Sequence, residues 1–391
     1  MKRWLALGAS ILIQSCLGVV YAWSTFVPAL GKEHGLTSGH AGLIFGICIA
    51  SFTVSMVFGG ILQHKYGPRR IATLGGLIFL AGYLTGSSSG GSFPLLLIGF
   101  GVLAGAGIGF GYVCPLATGI KWFPTHKGLI TGLTVAGFGL GSVFFAKVGH
   151  HFLDTGVPVL LVLQRIGWVV GISVILGALL LFVPNNVETI SSNPRKPEPL
   201  WALLKHREFK FLFGMMFCGT FGGLLVIGNL KPIGLSLGLS TAQATFSIML
   251  FAVGNAAGRV LWGLLYDRFG TRVMMGCMIL LAAGAGLMGL CDSKIIFYLS
   301  SVLIAFAFGG FFVLFAAQVA DSFGSNRLSE VYPFVFLGYG IAGLAGPPIG
   351  GALLHISNSS TFATAFVVVV ATLGAIAAKI YVAGKLREAT N

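Results

Sequence analysis

Gly60-Ile-Leu62-Gln-His64-Lys65-Tyr66-Gly67-Pro68-Arg69-Arg70 and Gly263-Leu-Leu265-Tyr266-Asp267-Arg268-Phe269-Gly270-Thr-Arg272 are two copies of one pattern. Both read Gly-x-Leu-x-(acid)-(basic)-x-Gly-x-(basic), except that His64 stands where the second copy has Asp267. Each copy ends an apolar run and sits at the same place in its half of the chain. The repeat divides the chain in two.

Outward from these loops, apolar runs of about 20 residues, the length that crosses a bilayer core, alternate with polar breaks. Twelve spans are predicted, near 4–28, 40–62, 71–89, 94–118, 127–149 and 163–183, then near 208–230, 241–265, 272–290, 295–319, 329–352 and 361–382. Between the sixth and seventh, Pro184 to His206 holds four prolines and mixed charge, the composition of a linker, with a short surface helix expected from Leu200. The expected organisation is an N-terminal six-helix bundle at 1–184, a cytoplasmic linker at 185–206 and a C-terminal six-helix bundle at 207–391.

Composition agrees: 56% of the 391 residues are hydrophobic and only 9% charged, too few charges to clothe a water-exposed surface. The 59 glycines let helices approach closely in lipid. With the N-terminus cytoplasmic, all but six of the 24 Lys and Arg fall inside; Lys32, Lys147, Arg165, Lys231 and Lys294 fall outside, and Arg259 lies within a span. The net charge of +14 is therefore topology, and no nucleic-acid partner is implied. Both termini are expected to be cytoplasmic. The opening Met-Lys-Arg-Trp reads as the start of a first helix rather than a cleaved signal. The six cysteines are scattered without Cys-x-x-Cys, so neither disulfide framework nor metal site is suggested.

The paired loops, in register with twelve spans along the whole chain, resemble the signature loop of the major facilitator superfamily. The resemblance implies an all-α membrane protein with two six-helix bundles about a pseudo-two-fold axis, a substrate site between them near mid-membrane, and rocking alternating access. Gly60, His64 and Gly67 in the first copy, and Gly263, Asp267, Arg268, Gly270 and Arg272 in the second, form the expected cytoplasmic latch. Asp267 can accept hydrogen bonds from a neighbouring helix N-terminus or an arginine. His64 departs from the pattern, so the stronger latch is expected at the second copy and a weaker or pH-sensitive one at the first.

A narrower resemblance lies in Leu17-Gly-Val-Val-Tyr21-Ala-Trp23-Ser24-Thr-Phe-Val-Pro28, which looks like the opening of the oxalate/formate antiporter group, close to the monocarboxylate transporters. Arg259, in the run from Phe251 to Tyr266, looks like the arginine with which both bind substrate carboxylates. The physical reading concurs, because arginine at mid-bilayer costs about 2.5 to 3.5 kcal/mol and no acid shares its stretch. It lies eight residues before Asp267, about 12 Å at about 1.5 Å per residue, near the middle of a core about 30 Å thick. Asn255, one turn earlier, shares its face. Animal monocarboxylate transporters commonly carry an aspartate there, and the asparagine weakens direct transfer of their proton coupling.

Helices expected by resemblance to line the cavity supply the other candidates. Tyr21 and Tyr112 are phenols in apolar helices that need hydrogen-bond partners. Phe138, and Phe311 with Phe315 four residues on, suit the apolar end of a small acid, although lipid-facing positions explain them equally. Tyr339 stands in a helix where an oxalate exchanger of the group would be expected to place a lysine, so one arginine suits a monoanion. Gly346-Pro347-Pro348-Ile-Gly350-Gly351 reads as a bending, close-packing element.

No catalytic constellation emerges, and no cofactor is expected. The reading is a plasma (inner) membrane transporter of small monocarboxylates such as lactate, pyruvate or formate, symported with a proton and monomeric. Its alternatives are a carboxylate exchanger of the oxalate/formate type and a membrane receptor that does not transport.

Overall fold

The computed structural model describes residues 2–184, 200–290, 293–357 and 360–390. Among these residues the regular structure is helical, with no strand. The expected linker therefore lies outside the described residues, except for a helical turn at Leu200–Leu203 and the non-helical residues 204–206 that lead to the next helix.

The first half contributes α1 (Lys2–His34), α2 (Ser38–Tyr66), α3 (Pro68–Ser87), α4 (Phe93–Trp122), α5 (Lys127–Asp154) and α6 (Val159–Leu179). The second contributes α7 (Arg207–Ser236), α8 (Thr241–Phe269), α9 (Arg272–Gly289), α10 (Lys294–Phe323), α11 (Leu328–Ser357) and α12 (Ser360–Thr390). Eleven of them are long and apolar enough to cross a membrane. The exception is α3, where the third span was expected. It has 20 residues, opens with Pro68-Arg69-Arg70, and its glycines at 75, 76, 82 and 86 dilute its hydropathy. Helices of 30 residues such as α7, α10 and α11 run about 45 Å, longer than a core of about 30 Å.

Local chemistry sets the ends. Ser240 and Gln243 form a reciprocal capping box at the start of α8. Gly67 after α2 (φ 82°) and Gly270 after α8 (φ 62°) take left-handed conformations that only glycine adopts without strain, so both signature loops turn on their second glycine. Inside α1 the winding tightens to a 3-10 turn at Gly18–Ala22, which carries Tyr21. A Cβ on Gly18 would strike the Phe138 carbonyl of α5.

The alternating glycines of α4 serve two neighbours. A side chain on Gly105 or Gly109 would strike the α2 backbone at Cys48 or Phe52, whereas one on Gly107 would strike α3 at Phe79. Small residues thus let helix backbones touch where lipid supplies no hydrophobic drive. α11 passes through Pro347 and Pro348 as unbroken helix, and Asn229 of α7 donates to the Pro347 carbonyl at 3.0 Å.

The chain forms two compact units. One comprises residues 1–124, 133–197 and 324–333; the other comprises 125–132, 198–323 and 334–391. The first residues of α5 thus belong with the second-half helices, and the first residues of α11 with the first-half helices.

Candidate functional site

Arg259 is 2% exposed. Its Nε donates to Oδ1 of Asn255, one turn earlier, at 2.8 Å, and its guanidinium carbon lies 5.1 Å from the Phe312 ring centroid. A neutral amide orients the cation and an aromatic face supports it, and neither removes its charge. Desolvated cation–π contacts contribute about 2 kcal/mol or more.

Glycine places Phe312 there. A Cβ on Gly258 of α8 would collide with the Phe306 carbonyl of α10, and one on Gly309 with the Asn255 carbonyl, so the two backbones meet just before Phe312. Gly132, at the start of α5, packs in the same way on the Arg259 carbonyl. Phe312 in turn meets Tyr339 edge-on at 5.3 Å, and Phe336 lies 5.9 Å from Phe312 and 5.0 Å from Tyr339.

Of the expected residues in this unit, Arg259, Asn255 and Tyr339 are brought together, the last through Phe312. Phe311 and Phe315 pair with each other at 6.2 Å, and the Phe311 ring lies against Gly219 of α7. Sequence reasoning missed Phe312 and Phe336. Periodicity cannot choose between adjacent phenylalanines, but Gly309 one turn before Phe312, facing a Gly254/Gly258 helix, was an available signal.

The other unit gathers Tyr21, Tyr112 and Phe138. Both tyrosines approach Phe138 edge-on at 5.4 Å, and Phe52, also missed, lies 5.1 Å from Tyr112 and 6.2 Å from Phe138. Gln14 of α1 donates to the Tyr112 carbonyl at 2.9 Å. This cluster has no formal charge.

The two signature loops hold their partners differently. Asp267 accepts from the Gly128 amide at 2.7 Å with one oxygen and from the Leu129 amide at 2.8 Å with the other, capping α5 where its dipole is positive. Gly263 and Gly128 pack backbone to backbone. Alongside, Lys127 pairs with Asp321 at 2.6 Å, Tyr266 donates to the other Asp321 oxygen at 2.6 Å, and Gln318 joins Tyr266, Thr271, Ser322 and Tyr381 in one network.

In the first copy Gly60 packs likewise on the Ser329 carbonyl of α11. There the acid is on the helix: Nε2 of His64 lies 3.4 Å from Glu330, which Arg327 also approaches at 3.6 Å. Arg268 lies over Phe269, Arg272 opens α9, and Arg69 stacks on Phe182 while reaching the Leu181 carbonyl. Among the described residues no group of three His, Cys, Asp or Glu could hold a metal ion.

The chain belongs to the Major Facilitator Superfamily, whose family model matches residues 9–230 and 211–390. It is a multi-pass membrane protein of a transporter family, not an enzyme. It is 30% identical to an uncharacterised MFS-type transporter, YhjX, of Escherichia coli K12, over 88% of this chain and 86% of that one. It is 28% identical to the oxalate:formate antiporter of Oxalobacter formigenes, over 95% and 89%. It is 24% identical to apicoplast pyruvate carrier 1 of Toxoplasma gondii, over 86% and 81%. Among solved structures, the transporter FucP in its outward conformation shares the fold with a TM-score of 0.79 at 15% identity, over 97% of this chain and 99% of that one.

Proposed function

We propose that this chain is a plasma-membrane carrier of small monocarboxylates of the lactate, pyruvate and formate type, moving them with a proton by alternating access. In this reading twelve helices cross the membrane as two six-helix bundles, 1–184 and 207–391, with both termini and the 185–206 linker cytoplasmic, and the carrier works as a monomer. The observation that carries it is Arg259: a guanidinium buried within an apolar helix, oriented by the Asn255 amide and resting on the Phe312 ring, the kind of group that recognises a carboxylate. Tyr339, rather than a second cation, stands beside Phe312, which suits one carboxylate better than two. Two of the relatives are named for small carboxylates, formate with oxalate in one and pyruvate in the other.

Tyr21, Tyr112, Phe138, Phe311 and Phe315 are proposed as apolar and hydroxyl contacts for the rest of the acid. Gly60, His64, Gly67, Gly263, Asp267, Arg268, Gly270 and Arg272 are proposed as the cytoplasmic latch. Binding a carboxylate neutralises Arg259, so the loaded site reorients more readily than the empty, cationic one.

The test is competition by lactate, formate, oxalate and acetate for uptake into proteoliposomes, with and without an inward pH gradient. The expected result is stronger competition by monocarboxylates than by oxalate, with uptake driven by the gradient. Preference for oxalate together with acceleration by internal anion identifies an exchanger instead. Binding without time-dependent accumulation identifies a receptor.

A further inference from the structure

Where α7 begins and α12 ends, the two helices border a cleft whose walls include none of the residues proposed for the carboxylate or the latch. Phe211, Ile380 and Tyr381 make its apolar floor. The floor is firmly set: the rings of Phe211 and Tyr381 lie 6.0 Å apart, and the Tyr381 hydroxyl shares hydrogen bonds with Gln318 and Ser322 of α10. At Gly384 the wall is thin, since a Cβ there would meet no atom within 4 Å.

Charge lines the rim. Arg207 and Lys385 stand on it with Glu208, which pairs with Lys385, so two bases and one acid leave one net positive charge. That charge belongs to Arg207, which is exposed, holds its guanidinium 5.5 Å from the Phe211 ring centroid, and pairs with no carboxylate among the described residues. From the cleft an apolar track follows α12 towards its middle. Ile380, Ile376, Leu373, Val369 and Phe366 are each 40% to 57% exposed and recur at steps of three and four residues, one face of the helix. The track runs about 21 Å at about 1.5 Å per residue, longer than one leaflet of a core about 30 Å thick.

We infer that this cleft binds one anionic phospholipid of the phosphatidylglycerol type, with its phosphate on Arg207 and Lys385 and an acyl chain along the α12 track. A phosphodiester carries one negative charge and so matches the rim. The planar fork of arginine suits two phosphate oxygens, and basic pockets between membrane helices suit lipid head groups. Glu208 narrows the choice. Its carboxylate only accepts hydrogen bonds, so it favours a head group with hydroxyl donors and disfavours a second anionic charge. Choline offers no such donor, and ethanolamine adds a cation to a rim that is already positive. The inference requires only that the chain lies in a bilayer, and it stands whether or not the substrate is a carboxylate.

The test is native mass spectrometry of the full chain in detergent, titrated with phosphatidylglycerol, phosphatidylethanolamine and phosphatidylcholine of matched acyl chains, with thermal unfolding of the same samples. Phosphatidylglycerol is expected to bind as a single tight molecule, at least about fivefold more strongly than either of the others, and to raise the unfolding midpoint. Arg207→Ala should weaken it about fivefold, and Arg207→Ala with Lys385→Ala further. Arg70→Ala, which removes an exposed base outside the cleft, should leave binding within about twofold. Gly384→Trp keeps every charge, fills the cleft and should also lose the tight molecule, and lipid-free midpoints show that each variant is folded. Inorganic phosphate alone should leave the midpoint unchanged. Equal binding of the three lipids, equal losses in Arg207→Ala and Arg70→Ala, or undiminished binding by Gly384→Trp overturns the inference. Protection by inorganic phosphate as large as that by the lipid would make this a free-anion site and overturns it likewise.

Discussion

The two halves of this chain solve the same two problems with different charge. At the signature loop the second half presents an acid, Asp267, to bare helix amides, whereas the first presents a base, His64, to an acid carried by the helix. Within its helices the second half buries Arg259 against Asn255 and Phe312, while the first packs Tyr21, Phe52, Tyr112 and Phe138, side chains without formal charge. Backbone packing is shared: Gly60 on Ser329 matches Gly263 on Gly128. Close packing is common to the two loops, and the charges they present differ. The buried cation lies in one half and the histidine–carboxylate contact in the other.

Adding a charge beside Arg259 should break the contrast most strongly. Asn255→Asp places a carboxylate within 2.8 Å of Nε and ties up the cation the substrate needs. The apparent KM for lactate is expected to rise at least about tenfold at neutral pH, a change of about 1.4 kcal/mol, and to recover partly in acid as the new carboxylate protonates. An unchanged KM would show that the charge of Arg259 is not what holds the substrate.

Next in size is the comparison of two neighbouring rings. Phe312→Leu removes the aromatic face under the guanidinium and should raise KM by about five- to thirtyfold, equivalent to about 1 to 2 kcal/mol. Phe311→Leu, whose ring meets Gly219, should leave KM within about twofold. Equal effects would remove the distinction between them.

Smaller still is the cap. Asp267→Asn keeps a hydrogen-bond acceptor but loses the negative charge at the α5 N-terminus, and should cost about 1 kcal/mol in thermal unfolding in detergent. His64→Asn, which removes no helix cap, should cost less, and an equal loss in the two variants would erase the difference between the loops.

Much of this was legible in the chain. Apolar runs mark the helices because a bilayer imposes length and composition locally. Arg259 and Asn255 were legible for the same reason, since a charge within an apolar run stands out and one helical turn links the pair. Phe312 was not, because choosing it over Phe311 needs the helix rotation set by the Gly258 and Gly309 contacts, which are long-range. Glu330 as the partner of His64 was hidden likewise: the two are distant in sequence, and only folding brings the α11 turn to the α2–α3 loop. The exchanged segments 125–132 and 324–333 have no compositional mark at all.

The most direct test of the carboxylate reading is initial uptake of labelled lactate and formate into proteoliposomes by wild type, Arg259→Ala and Arg259→Lys at matched incorporation and known fold. The account predicts that Arg259→Ala loses about a hundredfold or more, as expected when one partner of a buried charged contact is truncated, and that Arg259→Lys, lacking the planar fork, recovers little of it. Uptake by Arg259→Ala within about twofold of wild type, with its preference among carboxylates intact, would contradict it.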